Sequence, residues 1–346
     1  MKKLKVGIIG ATGYVGAELV RILLNHPYTE IAAVSGITDI GKPLGAIFQS
    51  YLGLIEHKIT SEDEVIAKSE LVFTAIPHGF SEKIAVKVIA AKKILIDLGA
   101  DFRLNSEQDF IDWYGDKYHF PELHKIAAYI IPELNRNDIA GKRIVANPGC
   151  YPTSISLGLA PALKHGFTTD ETIICDSKSG VTGAGIGLSL TTHFTEANEA
   201  FGAYKIAAHR HTPEIEQNLS RLAGRKITVV FVPHLLPCNR GIESTIYAAW
   251  NGSAAIEEIY EAYAEFYKNE KFVRVLPLGA TANIKTVKGS NYCDISLHLD
   301  IRGKKLIICS VIDNMVKGAA GQAVQNMNLI AGFKEDAGLN IVPAVF

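Results

Sequence analysis

The first half of the chain alternates short apolar runs with segments whose apolar residues recur at helical spacing. A short apolar run between turn signals fits a strand buried on both faces, and recurrence every three or four residues fits a helix. The patterns predict strands over 4–9, 31–34, 71–76, 94–97 and a run ending at Val145, with helices over 14–25 and 81–92. Alternating strands and helices predict an α/β fold with a doubly wound parallel sheet of the Rossmann type.

The pattern changes after Cys150. The later apolar segments are longer and partly alternate with polar residues, as in Cys-Asp-Ile-Ser-Leu-His-Leu-Asp-Ile over 293–301. Alternation means that one face of a sheet meets water, so this half predicts a second, α+β domain with an antiparallel or mixed sheet. Its predicted strands are 244–250, 293–301 and 305–312, and its predicted helices are 213–223, 254–268 and about 314–331, the last ending at Gly332.

Bulk composition agrees with two domains and argues against several classes of protein. The 346 residues are 48% hydrophobic, carry a formal net charge of −1 and contain no apolar run of membrane-spanning length, so neither nucleic acid nor membrane is an expected partner. Five cysteines without paired or metal-ligand spacing predict neither a disulfide framework nor a metal site, which fits a reducing compartment. Glycines interrupt the N-terminal apolar run, so it is not expected to be a signal peptide, and a cytoplasmic protein is the expectation.

A glycine-rich loop follows the first predicted strand and opens the first predicted helix. Its sequence is Gly10-Ala-Thr-Gly13-Tyr-Val-Gly16. Glycines here permit a tight turn and let backbone N–H groups approach a pyrophosphate, to which the helix N-terminus adds partial positive charge. The strand before the loop and the helix after it favour a dinucleotide site over the alternative, a glycine turn without a ligand.

The end of the second predicted strand bears on which dinucleotide binds. An acid at this point would hydrogen-bond the free ribose 2′-hydroxyl of NAD. The strand instead ends in Val34-Ser35-Gly36, and Lys42 follows. NADP fits better than NAD, because an acid would repel the 2′-phosphate; the alternative is that Asp39 turns in to bind the ribose.

The segment Asn147-Pro-Gly-Cys150-Tyr-Pro-Thr follows a strand and precedes a helix expected to begin near Pro152. A thiol at a helix N-terminus feels the helix dipole, which lowers its pKa and increases the thiolate fraction. Cys150 is therefore the candidate nucleophile, although position alone does not separate a catalytic from a structural cysteine. The other four cysteines are interpreted as buried small hydrophobes. Pro161 lies inside the expected helix and should kink or end it.

A second polar cluster, His209-Arg210-His211-Thr-Pro-Glu214, stands before a helix with Pro213 at its start. Imidazole transfers protons near neutral pH, and a guanidinium suits a carboxylate or phosphate. The alternative is a solvated polar helix entry. His78, after a predicted strand, could line a cofactor cleft, and His234 is as readily structural.

Two further loops could meet a ligand. Ser177-Lys-Ser-Gly-Val-Thr-Gly-Ala-Gly185 follows a strand and could bring backbone donors close to it. Arg103 follows the strand over 94–97, whose carboxyl end faces the ligand cleft in such a sheet, so Arg103 is placed to meet an anion. A surface ion pair with Asp101 is the alternative for Arg103.

These motifs together resemble N-acetyl-gamma-glutamyl-phosphate reductases, the arginine-biosynthesis enzymes also called N-acetyl-glutamate semialdehyde dehydrogenases. The resemblance runs essentially from end to end. It is carried by GATGYVG (10–16), AIPHG (75–79), DLGADFRL (97–104), NPGCYPT (147–153), SGVTGAG (179–185), HRHTPEI (209–215), PHLLPCNRG (233–241), GSNYC (289–293) and DNMVKGAAGQAVQNMNL (313–329).

The resemblance implies an NADP-binding Rossmann domain over 1–149 and 314–346, to which the last helix returns, and a catalytic and oligomer-forming domain over 150–313. It also implies a homo-oligomer, a dimer or a tetramer. Cys150 matches the nucleophile, His209 the acid/base and His211 a substrate-positioning residue. The other implied substrate ligands are Arg103, Asn147, Arg210 and Glu214. The implied NADP(H) ligands are Gly10, Thr12, Gly13, Tyr14, Val15, Gly16, Ser35, Pro77, Ser179, Gly180, Gly183 and Asn314. Ile186 and Gly36 depart from basic residues often found in the family.

The reaction implied is the reduction of a small acyl phosphate, N-acetyl-L-glutamyl 5-phosphate, to N-acetyl-L-glutamate 5-semialdehyde. Cys150 would expel phosphate to form a thioester, a hydride from NADPH would reduce it, and His209 would protonate the oxyanion. The alternatives are an aspartate-semialdehyde dehydrogenase-like reductase, a carrier-protein-linked reductase of lysine biosynthesis and a non-catalytic dinucleotide-binding regulator. The HRHTPEI and GSNYC blocks favour the acetylglutamyl substrate, the neutral composition argues against the carrier-linked enzyme, and a regulator would need neither Cys150 nor the histidine pair.

Overall fold

The computed structural model describes residues 2–169 and 171–345. The chain divides into two compact units: the first comprises 2–148 and 319–340, and the second comprises 149–318 and 341–345 without residue 170. No helix among the described residues combines the length and the apolar composition needed to cross a membrane.

The first unit is built on a seven-stranded sheet in which all neighbouring strands are parallel. Its strands are β1 (Leu4–Ile9), β2 (Thr29–Ser35), β3 (Ile59–Thr60), β4 (Leu71–Thr74), β5 (Ile94–Asp97), β6 (Ala127–Tyr129) and β7 (Ile144–Ala146). The order β3-β2-β1-β4-β5-β7-β6 runs outward from β1 in both directions. This is the doubly wound arrangement predicted from the sequence, and its ligands bind beyond the carboxyl ends of the strands.

Helices cover this sheet and bury its apolar side chains. They are α1 (Tyr14–Leu23), α2 (Leu44–Ile47), α3 (Glu62–Lys68), α4 (Ser81–Ala90), α5 (Glu107–Tyr114), α6 (Pro121–Ile126), α7 (Pro132–Asn135) and α12 (Gly321–Ile330). Strand residues Val72, Leu95 and Ile144 pack in one buried cluster with Ile84 and Val88 of α4. Strands with so few polar side chains are stable only when both faces are covered.

The second unit holds a seven-stranded mixed sheet, which confirms the predicted fold class. Its strands are β8 (Ile173–Gly180), β9 (Gly202–Ala203), β10 (Val229–Leu236), β11 (Ile242–Ala249), β12 (Val273–Val275), β13 (Cys293–Asp300) and β14 (Lys305–Ile312), and its helices are α8 (Cys150–Lys164), α9 (Phe194–Ala197), α10 (Thr212–Ala223) and α11 (Ile256–Tyr267). The order is β12-β13-β14-β11-β8-β10-β9. The β8–β10 and β12–β13 pairs are parallel and the other pairs antiparallel.

Helix α8 lies close to this sheet because Gly158 has no side chain. A Cβ on Gly158 would stand 2.9 Å from Cδ1 of Ile246 and 3.1 Å from Cβ of Ser310. Close approach at this point fixes the depth at which the whole helix, including its first residue Cys150, sits on the sheet.

Pro161 does not end α8, which continues to Lys164, so of the two predicted outcomes, a kink or an end, the end is excluded. A proline inside a helix removes the N–H that would bond the carbonyl four residues earlier, here that of Leu157. The Tyr267 hydroxyl on α11 donates to the Leu157 carbonyl at 2.5 Å. A side chain distant in sequence therefore replaces the missing backbone donor.

Many boundaries differ from the sequence predictions by one or two residues, and two of the differences bear on the site. Helix α8 begins at Cys150 and not near Pro152, and the helix expected over about 314–331 is a π-helical turn, Val316–Ala320, followed by α12. Short elements over 107–139 and strand β6 were not predicted, because segments of three to eight residues carry little periodicity.

Residues 314–318 and 341–345 group with the second unit, whereas the resemblance implied the first. Side-chain bonding explains the placement of Asn314, which accepts the Gly241 N–H at 2.8 Å and donates to Thr182 Oγ1 at 2.9 Å. Helix α12 groups with the first unit, where Gln325 Nε2 donates to Glu133 Oε1 at 2.9 Å.

Candidate active site

The glycine-rich loop of the first unit takes the turn that a dinucleotide site requires. Gly10 has a φ of +91°, and a Cβ there would stand 2.3 Å from the Ala75 carbonyl oxygen; a Cβ on Gly16 would stand 2.1 Å from the Gly10 carbonyl oxygen. Both positions therefore exclude a side chain. A Cβ on Gly13 would lie 3.5 Å from its nearest neighbour, the Gly10 carbonyl oxygen, so a methyl group there would make only an ordinary contact. Gly13 precedes α1, whose N-terminus no side chain caps, and this combination fits a pyrophosphate.

The end of β2 packs directly against this loop. The Ser35 carbonyl accepts the N–H groups of Gly10 at 3.1 Å and Ala11 at 2.8 Å. A Cβ on Gly36 would stand 2.7 Å from Thr12 Oγ1, so a basic residue in place of Gly36 would displace Thr12. Glycine at position 36 leaves room for the Thr12 side chain.

Asp39 is engaged within its own loop. Its carboxylate pairs with Lys42 Nζ at 2.6 Å and accepts the Thr38 hydroxyl at 2.8 Å. These two bonds hold the pKa of Asp39 below its usual range. The Asp39 carboxylate, which could have accepted a hydrogen bond from a ribose 2′-hydroxyl, is thus bound to Thr38 and Lys42 of its own loop.

Two buried carboxylates organise the loops that follow β4 and β5. Asp97 accepts the hydroxyls of Thr74 at 2.7 Å and Ser81 at 2.6 Å, and Asp101 accepts the N–H groups of Gly79 at 2.7 Å and Ser81 at 2.8 Å. Burial, with the charge of Asp101 nearby, raises the pKa of Asp97 to about 6. The hydrogen bonds fix the conformation of the loop after β4.

Arg103 is buried, with 8% exposure, and bridges two backbone segments. Its Nε donates to the Asn147 carbonyl at 2.9 Å and its Nη2 donates to the Leu98 carbonyl at 2.7 Å. The Asn147 side chain donates to the Ala319 carbonyl at 3.1 Å and accepts from Asn326 Nδ2 at 3.0 Å. The first unit thus brings the two predicted substrate residues Arg103 and Asn147 into direct contact.

In the second unit, Cys150 is half-buried at the first position of α8. Gly149 is the N-cap, and no side chain caps the helix. The Gly149 N–H donates to Glu214 Oε1 at 2.7 Å, and Glu214 lies fully buried in the first turn of α10. The NPGCYPT and HRHTPEI motifs therefore meet at the turn that presents the thiol to the positive end of the helix dipole.

A hydrogen bond from a neighbouring backbone N–H orients the His209 ring. The His211 N–H donates to His209 Nδ1 at 3.1 Å, so Nδ1 acts as acceptor and the proton of the neutral ring belongs on Nε2. Burial, with the positive charges of Lys205 and Arg210, lowers the pKa of His209 to about 4. Near pH 7 the ring is therefore neutral and presents an Nε2–H donor. The His211 ring lies 4.9 Å from that of His209, centroid to centroid.

A pair of tyrosines links His209 to the residue after the nucleophile. Tyr204 Oη lies 3.5 Å from His209 Nε2 and 3.1 Å from Tyr151 Oη. Burial raises the pKa of Tyr204 to about 12, and a Cys150 thiolate adds to that rise; burial also raises the pKa of Tyr151. Both tyrosines therefore stay protonated near the thiol. Sequence reasoning missed them, and only the adjacency of Tyr151 to Cys150 offered a signal.

The second glycine-rich loop continues β8 into a 3₁₀ turn, Val181–Ala184. A Cβ on Gly180 would stand 2.6 Å from the Asn239 carbonyl oxygen, so glycine is required there. A Cβ on Gly183 would have Ser179 Oγ, 3.6 Å away, as its nearest neighbour, so this part of the loop is open. Asn314, through its bond to Thr182, holds the open turn in place.

Five further residues singled out in the sequence have the following positions. Tyr14 and Val15 begin α1, and Pro77 is exposed after β4. His78, also exposed, has its ring 5.6 Å from that of Tyr114, and His234 Nδ1 lies 3.1 Å from Asp176 Oδ1. His234 thus lies beside an acidic residue of the neighbouring strand, although its Nδ1 makes no hydrogen bond with that carboxylate.

Both units match family models. Residues 5–142 match the model described as semialdehyde dehydrogenase, NAD binding domain, and residues 150–314 match that described as semialdehyde dehydrogenase, dimerisation domain. Among solved structures, aspartate semialdehyde dehydrogenase II from Vibrio cholerae superposes with a TM-score of 0.73 at 15% identity, over 96% of this chain and 99% of the other. The fold and the matched domains therefore define a protein of the semialdehyde dehydrogenase class.

Curated relatives narrow the class. The N-acetyl-gamma-glutamyl-phosphate reductase of Clostridium botulinum (strain Eklund 17B / Type B) is 56% identical over 99% of this chain and 100% of its own. The enzyme of the same name from Clostridium beijerinckii is 55% identical over 99% of both chains. The chain belongs to the N-acetyl-gamma-glutamyl-phosphate reductase family, as the sequence motifs indicated.

Proposed function

We propose that the protein is an NADPH-dependent reductase that converts N-acetyl-L-glutamyl 5-phosphate to N-acetyl-L-glutamate 5-semialdehyde in arginine biosynthesis. The observation that carries the proposal is Cys150 at the uncapped N-terminus of α8, in a chain 56% identical to a reductase of that name. A helix N-terminus favours the thiolate, which is the attacking form of cysteine.

Cys150 performs the first covalent step. Its thiolate attacks the acyl carbon, a carbon–sulfur bond forms, and the carbon–oxygen bond to phosphate breaks with its electron pair leaving on phosphate. The product is a thioester. Glu214 supports this step by holding the Gly149 N–H, which fixes the turn from which Cys150 projects.

The glycine loop fits a dinucleotide. Gly13 offers the open approach and the uncapped α1 offers N–H donors, so Gly10, Thr12, Gly13, Tyr14, Val15 and Gly16 would hold the pyrophosphate, with Ser35 toward the ribose and Pro77 beside the loop. In the second unit, Ser179, Gly180, Gly183 and Asn314 are the proposed ligands on the nicotinamide side. The cofactor, when bound, supplies the hydride that reduces the thioester. NADP is favoured over NAD because β2 ends in Ser35 without an acid and Asp39 is paired to Lys42.

His209 stabilises the oxyanion that forms when the thioester is reduced. Its neutral ring carries the proton on Nε2 and donates it as a hydrogen bond to the oxyanion; when that oxygen re-forms the carbonyl, the carbon–sulfur bond breaks, its electron pair leaves on the Cys150 sulfur as thiolate, and the imidazole keeps its proton. His211 positions His209 through its backbone N–H and is proposed to contact the substrate. The Tyr204 hydroxyl lies beside Nε2 and keeps the donor directed.

Arg103 and Arg210 are the proposed partners of the anionic substrate. Arg103 is held in place by the carbonyls of Leu98 and Asn147, so its charge is oriented and little exposed, which strengthens its attraction for phosphate. Replacement of Arg103 by Lys should raise the KM for orthophosphate in the reverse reaction, because lysine cannot bridge both carbonyls with a planar fork.

We also propose that the protein is a cytoplasmic homo-oligomer, a dimer or a tetramer. The match to a dimerisation domain over 150–314 supports self-association, and none of the five cysteines forms a disulfide, which suits a reducing compartment. Light scattering after size exclusion would give the copy number, and a monomer at micromolar concentration would contradict the proposal.

The function is tested in reverse, with N-acetylglutamate semialdehyde, orthophosphate and NADP⁺ as substrates. Phosphate-dependent NADPH formation is expected, with NAD⁺ and aspartate semialdehyde as poorer alternatives. Faster turnover of aspartate semialdehyde would identify an aspartate-semialdehyde dehydrogenase instead, and turnover independent of phosphate would contradict an acyl phosphate substrate.

A further inference from the structure

The π-helical turn after β14 lies directly against the nucleophile. Val316–Ala320 forms this turn. π-Helical turns are rare in proteins as a whole, but where they occur they are often at functional sites. A Cβ on Gly318 would stand 2.7 Å from Cβ of Cys150 and 3.2 Å from its Cα. Cβ atoms do not approach that closely, so any side chain at position 318 would push apart the turn and the start of α8.

Hydrogen bonds of Asp313 hold the turn where it is. The Gly318 N–H donates to the Asp313 carbonyl at 3.0 Å. The Asp313 carboxylate is fully buried and accepts the N–H groups of Met315 at 2.8 Å, Val316 at 3.1 Å and Gly289 at 2.7 Å. Withdrawal of the turn would take the Met315 and Val316 N–H groups away from a buried carboxylate, which is costly.

A change of rotamer at Cys150 cannot relieve the contact with a side chain at position 318. Rotation about χ1 moves Sγ but leaves Cβ in place, because Cβ is fixed by the backbone. That backbone is anchored on both sides, since the Gly149 N–H donates to Glu214 and the Thr153 N–H donates to the Gly149 carbonyl at 3.0 Å. The contact therefore has no flexible side-chain end that could absorb a methyl group.

We infer that Gly318 is a positioning residue for Cys150: by carrying no side chain, it lets the π turn seat against Cβ of the nucleophile and so sets where the thiol projects. Its catalytic consequence rests on the proposed function, in which the sulfur must form a bond to the acyl carbon as the bond to phosphate breaks. A displacement of about 1 Å at such a centre can cost about 100-fold in rate.

The test compares Gly318→Ala with Gly202→Ala in the full chain. Gly202 is exposed in β9 of the same unit, and a Cβ there would meet nothing within 4 Å, which makes it a matched control. Three readouts are needed: kcat and KM in the reverse assay, the Kd for NADPH by fluorescence, and the pH dependence of Cys150 alkylation by iodoacetamide.

Gly318→Ala should lower kcat by about 100-fold and change the limiting alkylation rate several-fold, while the Kd for NADPH stays within about 2-fold of wild type. Gly202→Ala should match wild type in all three readouts. A Gly318→Ala enzyme with wild-type kcat and wild-type alkylation would overturn the inference.

A double-mutant cycle covers the case in which Gly318→Ala does not fold. Cys150→Gly removes the atom that the new methyl group would strike at 2.7 Å and leaves the contacts to its Cα and to Ile312 Cδ1 at 3.2 and 3.3 Å, so Gly318→Ala should lower the thermal midpoint clearly less in the Cys150→Gly protein than in the Cys150 protein. An equal loss in both backgrounds would place the clash elsewhere and refute the inference. Since unfolding and alkylation need no turnover, these arms stand even if wild type fails to use the acetylglutamyl substrate.

Discussion

The glycine-rich loop over 10–16 and the surroundings of Cys150 differ in how they reach their geometry. In the loop over 10–16, the atoms that exclude a side chain at Gly16 belong to Gly10 and Ala11 of the same loop, while the carbonyls of Ser35 and Ala75 constrain Gly10 from outside it. At the nucleophile, Cys150 is fixed by Glu214 and seated against Gly318, which are 64 and more residues away. A loop whose close contacts lie partly within its own motif can be recognised from sequence, whereas the contacts that place Cys150 become visible only once the chain is folded.

Loss of the nucleophile is the largest effect expected. Cys150→Ala removes the attacking sulfur and should lower turnover by about 10⁴-fold or more. The Kd for NADPH should stay within about 2-fold of wild type, because the first unit carries the glycine loop independently. Retention of turnover above about one tenth of wild type would exclude a covalent route through this residue.

Loss of the hydrogen bond between Glu214 and the Gly149 N–H should have the next largest effect. Glu214→Ala leaves the buried Gly149 N–H without its acceptor, at a cost of about 1–3 kcal/mol in the free energy of unfolding, and should lower kcat by about 10- to 100-fold. Glu214→Gln keeps an acceptor oxygen and serves as the conservative control. If both variants lose kcat equally, the negative charge matters rather than the hydrogen bond.

Two substitutions separate the roles of glycine within the first loop. Gly16→Ala should destabilise the protein by about 1–3 kcal/mol, because its Cβ would meet the Gly10 carbonyl. Gly13→Ala meets only ordinary contacts and should leave stability nearly unchanged, yet weaken NADPH binding by about 10-fold through the space it fills. Fluorescence titration and urea unfolding measure the two effects, and the reverse pattern would show that the ligand does not pass over Gly13.

The last expected effect is on the pH dependence of stability rather than on turnover or cofactor binding. With its folded pKa lowered to about 4, His209 binds fewer protons than in the unfolded state, where the usual value is about 6.5. The free energy of unfolding therefore falls as pH drops from about 6.5 toward about 4, by up to about 1.4 kcal/mol per pH unit from this group. His209→Gln should flatten that slope in urea titrations. A variant with the wild-type slope would mean that the ring is not buried as neutral imidazole.

The fold was largely predictable because its strands are short apolar runs bounded by turn-forming residues. The strands over 4–9 and 94–97 were predicted to the residue, and the change to alternating strands after Cys150 indicated the mixed sheet. The persistence of α8 past Pro161 was not predictable, because the donor that replaces the proline N–H comes from Tyr267, more than 100 residues later.

The candidate site was predictable where chemistry and motif coincide and not where a residue acts through another. Cys150 and His209 stood out as reactive types near helix starts. Tyr204 carries no motif of its own, and its place between His209 and Tyr151 follows only from packing. Asp313 reads as an ordinary strand-end acid, although its carboxylate organises the turn behind the nucleophile.

The most direct measurement is the capture of the acyl group on sulfur. Protein incubated with N-acetylglutamate semialdehyde and NADP⁺, with phosphate withheld, is quenched in acid, digested and analysed by mass spectrometry. An N-acetylglutamyl thioester is expected on the peptide containing Cys150, and it should be lost when phosphate is added before the quench. NADPH formation without any adduct on Cys150, or with the acyl group on another residue, would contradict it.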